Sequence, residues 1–415
     1  MSVSSNGKSN NNTLALNSRL VLILGLLYFA QGLPFGLLVK SLPAILSKAG
    51  LPTEYIGLLA LAAIPWALKF LWSPWVDRWG RGRPNHRKRW ILGSQCCAAG
   101  LLLVIGSFSP QWLFVDGIGY LLLLLFLLNF LFATHDIASD GLAVRLLPAS
   151  LRGIGNSLQS GGYKAGMIAG GAAMLIAVQV IGWRATLWLL AAGLLLFLLP
   201  VWRFAEPIEN VPPRETASFK WWARQLVRFW LRKGMGLWFL LLIGYRIGDS
   251  FGSRMIKPML VKHDWTFSQI GMLDLVSSLV GLVGAALAGL LLMRMPRIIA
   301  LVLFGALQAA GLLAWGLVDV GVAKQVLFAA IFEQFADGLS TVALFTMMMD
   351  RCRAGHEGVD YTMQACLVLM SSGLFTLVSG YSAAQWGFSA HFLLSAALAL
   401  AAIMPAIFWK RAIHD

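Results

Sequence analysis

Apolar residues run along this chain in blocks of about 20, separated by short polar stretches, a length that carries a helix across the hydrocarbon core of a bilayer. Twelve such blocks are predicted, at 19–42, 54–76, 90–108, 112–147, 154–180, 183–203, 235–260, 268–293, 298–318, 324–349, 360–386 and 388–409. The longest polar interruption, Arg203 to Lys233, contains Pro207, Pro212 and Pro213 and separates six blocks from six. The expected organisation is a disordered cytoplasmic tail over 1–18, an N-terminal six-helix half over 19–203, a cytoplasmic linker over 204–234 and a C-terminal six-helix half over 235–409.

The two halves share landmarks. At the end of an apolar run, Ala133-Thr134-His135-Asp136-Ile137-Ala138-Ser139-Asp140-Gly141 sets two carboxylates at i,i+4, on one helix face. The spacing returns as Glu333-Gln334-Phe335-Ala336-Asp337-Gly338. Pro43, Lys48 and Ile56-Gly57 match Pro258, Lys262 and Ile270-Gly271, and Gly182-Trp183-Arg184-Ala185 matches Gly387-Phe388-Ser389-Ala390. Two six-helix halves in the same order form a parallel repeat, with substrate bound between them near mid-membrane. The fold class expected is therefore an all-α integral membrane protein of twelve helices in two pseudo-symmetric halves.

Composition supports this and narrows the function. The 415 residues are 58% hydrophobic and 12% charged, with a mean hydropathy of +0.74, which excludes an ordinary soluble domain. A net charge of +15 would suit a nucleic-acid partner. With both termini cytoplasmic, however, 23 of the 33 Lys and Arg fall in inside segments, six fall outside, and only Lys69, Lys164, Arg246 and Arg254 lie within spans. That is the positive-inside distribution of a multi-pass membrane protein, so no nucleic acid is expected. Cys96, Cys97, Cys352 and Cys366 show no metal-ligand spacing. No phosphate-binding Gly-x-x-x-x-Gly-Lys motif occurs, so transport driven by a proton gradient, without cofactor, is expected over ATP drive. His135 and Asp136 point about 100° apart on a helix and form no catalytic dyad.

Charge inside the membrane is costly and calls for a partner. Depth along neighbouring helices predicts Lys69 with Asp140 and Lys164 with Asp136. Asp136, Asp140 and His135, together with Glu333 and Asp337, which have no basic residue on their own helix, are candidates for proton coupling or gating. Arg246, Asp249, Arg254 and Asp274 are candidate ion-pair partners for the second acidic pair. Tyr28, Gln31 and Phe35 in the first span, Tyr245 in the seventh and Gln364 in the eleventh are candidate cavity residues for a polar, ring-containing ligand. Gly162, Gly166 and Gly170, spaced by four, form a small-residue packing ridge.

Between the second and third blocks, Asp77-Arg78-Trp79-Gly80-Arg81-Gly82-Arg83 resembles the Asp-Arg-x-Gly-Arg-Arg signature of the major facilitator superfamily. The resemblance implies a cytoplasmic gate of Asp77, Arg78, Gly80 and Arg81, in which Asp77 caps neighbouring helix ends and holds the outward-open state. Gln31-Gly32-Leu33-Pro34, Ile64 to Arg78 and Ala133 to Gly141 are similar to the muropeptide permease family of peptide and acetyl-coenzyme A transporters, with His135 where that family has Gln. The compact twelve-span length looks most similar to a branch importing siderophores such as pyochelin and rhizobactin. The resemblance thus implies a monomeric, proton-coupled importer of an iron-loaded siderophore in the bacterial inner membrane, iron entering only with the substrate. Import of peptidoglycan fragments is the alternative.

Overall fold

A computed structural model describes residues 18–51, 58–208 and 219–414. The tail predicted over 1–18 lies outside these residues except for Ser18, as do Ile56-Gly57 of the matched strings and the stretch 209–218 of the linker. Among the described residues, eight helices are long and apolar enough to cross a membrane. Two of the eight are double passes. Residues 149–202 break at Gly182 (φ 80°) and residues 357–414 break at Gly387 (φ 77°), each in the left-handed region that a Cβ disfavours. These glycines head the two matched strings noted in the sequence, so the repeat extends to backbone geometry.

In chain order the passes are α1 (Arg19–Lys48), α2 (Leu58–Leu71), α3 (His86–Ser107), α4 (Ile118–Leu146), α5 (149–181) and α6 (183–202). The second half has α7 (235–262), α8 (Phe267–Leu291), α9 (Arg297–Leu317), α10 (Ala323–Arg351), α11 (357–386) and α12 (388–414). An amphipathic helix, Phe219–Trp230, lies between the halves. The passes nearest the polar clusters are irregular. Pro34 stands inside α1 and a π-turn follows at Leu37–Ser41. Pro65 interrupts α2, which is partly 3-10, and α7 is built from Met235–Gly244, Ile247–Gly252, Ser253–Met255 and Ile256–Lys262. Broken helices of this kind are tolerated at membrane depth where they border protein or a polar cavity. By contrast, α8 starts on a full capping box, Thr266 with Gln269.

Small residues set how closely the passes approach. The Gly162–Gly166–Gly170 ridge of α5 packs on α1, where added Cβ atoms at Gly166 and Gly170 would overlap the Phe29 and Leu33 carbonyls. Between the halves, a Cβ at Gly153 on α5 would stand 2.9 Å from Leu292 Cβ and 3.0 Å from the Gly289 carbonyl oxygen at the end of α8. Ser157 Oγ donates to the Ala285 carbonyl at 2.6 Å in the same crossing. On the other side of the interface, Gly141 of α4 faces Gly358 of α11, with 3.2 Å from an added Cβ to the Gly358 Cα. Both crossings lie at the end bearing the Arg-rich loop 78–89, which is thereby closed. A Gly153→Val or Gly289→Val variant is expected to wedge that end apart, and cysteine pairs placed across it should crosslink at least about tenfold less than on the glycine background. Unchanged crosslinking would show that the crossing does not hold this end shut.

Candidate functional site

Two clusters of charge sit among the helices, one in each half. In the first, Lys69 of α2 forms an ion pair with Asp136 of α4, both buried. Trp66, one turn before Lys69, places its ring 5.5 Å from the ammonium. Asp140 lies one turn further and accepts instead from Tyr28 Oη (3.0 Å) and Gln159 Nε2 (3.0 Å). Gln159 then receives the Tyr361 hydroxyl of α11 at 3.1 Å, so Asp140 is linked to the opposite half through one amide. His135 is fully buried, its Nδ1 3.3 Å from Gln31 Nε2 and 3.3 Å from Ser139 Oγ. Phe35 lies against Tyr163, with centroids 5.8 Å apart, near Trp66.

The second cluster centres on Asp337 of α10. Arg246, at the break in α7, donates to Asp337 Oδ1 at 2.6 Å, to Asp249 Oδ2 at 2.7 Å and to Thr341 Oγ1 at 2.5 Å. Lys164 of α5 reaches across from the first half to stand 3.6 Å from Asp337 Oδ2. Lys164 and Arg246 keep 29% and 21% of their side chains accessible, so this bridge borders open space. Glu333, one turn before Asp337 and 1% exposed, takes only neutral donors: Gln334 (3.0 Å), Gln308 (3.3 Å) and Ser253 (3.3 Å). Glu333 also lines a small pocket of about 80 Å³ with Ser253, Asp274, Ser277 and Trp315.

The closed end carries a third constellation. Asp77 Oδ2 accepts from the Val359 backbone N–H at 2.7 Å, capping the start of α11 in the opposite half. Arg87, 1% exposed, stands 3.5 Å from Asp77 and 2.9 Å from Glu357, and also faces Glu206 at 3.8 Å. Arg81 lies beside Gly355, while Gly80 takes φ 101° against the His86 ring. Across the interface, Arg152 of α5 and Arg297 of α9 share Asp350, at 2.8 and 3.1 Å.

The chain matches the family described as Acetyl-coenzyme A transporter 1 over residues 20–176. It is 27% identical over 390 residues to the Anhydromuropeptide permease of Escherichia coli (strain K12), covering 92% of this chain and 77% of that relative. The structure superposes on the human organic anion transporter MFSD10 with a TM-score of 0.72 at 15% identity, covering 94% of this chain and 100% of that one. It also matches the Major Facilitator Superfamily transporter FucP, solved in its outward conformation, with a TM-score of 0.68 at 14% identity, covering 94% and 98%. The chain is a membrane transporter with the major facilitator fold.

For this transporter the siderophore expectation is overturned: the relative aligned over nine-tenths of the chain is named for anhydromuropeptides, so twelve-span length was a poor guide to the substrate. Two pairings are corrected as well. Lys69 pairs with Asp136 and not Asp140, and Lys164 pairs with Asp337 and not Asp136. Depth alone set the expectation, whereas the side of the helix that a residue occupies decides its partner. Several candidates stand away from the clusters. Tyr245 donates to the Leu301 carbonyl (2.8 Å) and Gln364 is locked to Trp238 Nε1 (2.7 Å), so both serve packing within the second half rather than a cavity wall. Asp274 pairs with Lys257 at 3.0 Å on the wall of the pocket that Glu333 also lines, rather than with the acidic pair, and Arg254 is exposed. Sequence reasoning missed Gln159, Gln308, Tyr361 and Glu357; uncharged or helix-end residues give no local signal that they complete a network formed 19 to 270 positions away.

Removing one partner of a buried pair strands the other, at about 3–5 kcal/mol. Lys69→Met and Asp136→Asn are therefore each expected to cut transport about tenfold or more, with the double variant better than the product of the two. The same cycle on Lys69 and Asp140 should come out closer to additive. A coupling of equal size in both cycles, measured by initial uptake rates, would argue against this pairing.

Proposed function

We propose that the transporter carries muropeptides, the sugar–peptide fragments of peptidoglycan, inward across the bacterial inner membrane, as a monomer working by alternating access. The observation that carries the reading is the Lys164–Asp337 contact, a part-exposed ion pair joining the two halves midway along their helices. The similarity to a named anhydromuropeptide permease supports the substrate class. A muropeptide brings carboxylates and many hydroxyls. Its carboxylate suits Lys164 and Arg246, whose guanidinium offers several donors to a planar acceptor. Gln159, part-exposed beside Asp140, suits hydroxyl and amide groups, whereas Tyr28 and Gln31 are buried and hydrogen-bonded to Asp140 and His135 and stand behind it.

A substrate carboxylate taking Lys164 would compete with Asp337 and loosen the central tie between halves. Binding would thus weaken one state relative to the other, which is the differential affinity that a conformational change requires. Release on the basic side, assigned to the cytoplasm by the positive-inside rule, then needs the α5–α8 and α4–α11 crossings and the Asp77–Val359 contact to part.

The proton gradient is the proposed driving force. Among the described residues, Asp140 and Glu333 are the buried acids held only by neutral donors, so either can take up a proton without leaving a cation unpaired. Asp136 and Asp337 cannot, since each neutralises a cation. Glu333 lines the small pocket shared with Asp274 and Ser277, which supports giving it the loading step, and Asp140 is given the release step.

Labelled anhydromuropeptide should accumulate in a permease-deficient strain expressing the chain, and a protonophore should abolish accumulation. Failure to exceed the empty-vector control would refute the substrate, while protonophore-insensitive accumulation would refute the coupling. Glu333→Gln is expected to lose accumulation about tenfold or more yet keep substrate exchange between preloaded vesicles and medium. Loss of exchange and accumulation together would assign Glu333 to binding instead.

A further inference from the structure

A cavity of about 470 Å³ lies on the flank of the first half, away from the interface between halves, under the Arg-rich loop and against α3 and α4. Its walls change character with depth. At the loop it is lined by Arg83, Arg89, Trp79 and Trp90; further in it is lined by Gly93, Cys97, Phe130 and Leu131. From Arg89 to Cys97 is eight residues of α3, roughly 12 Å along the membrane normal at 1.5 Å per residue. The cavity therefore runs from headgroup level into the hydrocarbon layer.

Its chemistry is one-signed. Arg83 and Arg89 make no ion pair among the described residues, although carboxylates engage Arg87 two positions before Arg89. No acidic side chain lines the cavity. Trp79 is 72% exposed and meets Trp90 edge-on at 5.5 Å, and Trp90 Nε1 donates to the Trp79 carbonyl at 3.3 Å. Indoles in such a place are the side chains that settle at a membrane–water boundary. Phe130 packs on Trp72, with ring centroids 4.8 Å apart, and still leaves 38% of its surface exposed toward the cavity.

We infer that this cavity is a site for one anionic phospholipid of the leaflet on the basic side, its phosphate held by Arg83 and Arg89 and the upper part of one acyl chain lying between α3 and α4 on Cys97 and Phe130. Unpaired arginines at the rim match a phosphate in charge and geometry, and the apolar floor matches nothing in a free anion. The inner wall includes Thr134, which accepts from Trp72 Nε1 at 3.0 Å and precedes His135 and Asp136. The lipid would thereby rest against the helix turn that carries the first acidic cluster.

The test uses the full chain in phosphatidylcholine nanodiscs titrated with phosphatidylglycerol, with bound lipid counted by native mass spectrometry. One phosphatidylglycerol is expected to be retained, and Arg83→Gln/Arg89→Gln should bind it about tenfold more weakly. Cys97→Phe, which fills the apolar end and leaves every charge in place, should weaken it as well; Arg294→Gln, on the matching loop of the second half, should not. Wild-type retention in the double arginine variant would overturn the site. Displacement of the lipid by inorganic phosphate alone, or indifference to Cys97→Phe, would mark a free-anion site and overturn the lipid assignment.

Discussion

Charge cannot stand alone between these helices, and the pair that meets this requirement across the two halves, Lys164 with Asp337, organises the centre of the molecule. Asp337, with 13% of its side chain accessible, is costly to hold charged without a cation, while Lys164, at 29%, stands at the edge of open space and can exchange one anion for another. Because the partners belong to different halves, relative motion of the halves is opposed at this point by electrostatics as well as packing. Arg246 shares Asp337, so the tie remains neutralised on one side if Lys164 moves away. A substrate that satisfies Lys164 therefore alters the interface without stranding a buried acid.

The sequence repeat is the same in spacing but inverted in use. Asp136 corresponds to Glu333 and Asp140 to Asp337, yet the cation-paired members are Asp136 in the first half and Asp337 in the second. The cations cause the inversion. Lys69 comes from α2 and meets the outer member of its pair, whereas Arg246 at the break of α7 and Lys164 from α5 converge on the inner member of the other. The two acids left with neutral donors, Asp140 and Glu333, thus fall at different depths, a staggered arrangement that symmetric pairing would not produce.

At the closed end the constraint is steric first and electrostatic second. Gly153 against Gly289 and Gly141 against Gly358 allow backbones to meet, and a Cβ at Gly358 would come 2.6 Å from Asp77 Oδ1. Asp77 then reaches the Val359 amide because nothing intervenes. Arg87 joins Asp77, Glu357 and Glu206, and the linker leaving α6 is stitched to the same place by Lys88 Nζ on the Trp202 and Phe204 carbonyls, at 2.6 and 2.7 Å. The loop, the linker and the entrance to α11 are therefore a single assembly, and parting the halves here disturbs all three.

Hydropathy and spacing alone specify the class of molecule: apolar blocks of membrane length, basic residues gathered in alternate loops, and landmarks that recur from half to half, down to Gly182 and Gly387. They also place Asp136, Asp140, Glu333 and Asp337 in the interior, because an acid within a membrane-length apolar run is too costly to face lipid and must turn toward protein or water. Such patterns are periodic and local, so a single stretch of chain carries them. Partnership is neither. Whether Lys164 faces α4 or α10, whether Tyr245 and Gln364 border a cavity or a packed core, and which acid is left to neutral donors depend on helix rotation and on residues hundreds of positions apart. Only the packed helices decide these, since a side chain at a given depth has a full circle of directions, and tertiary contacts select one.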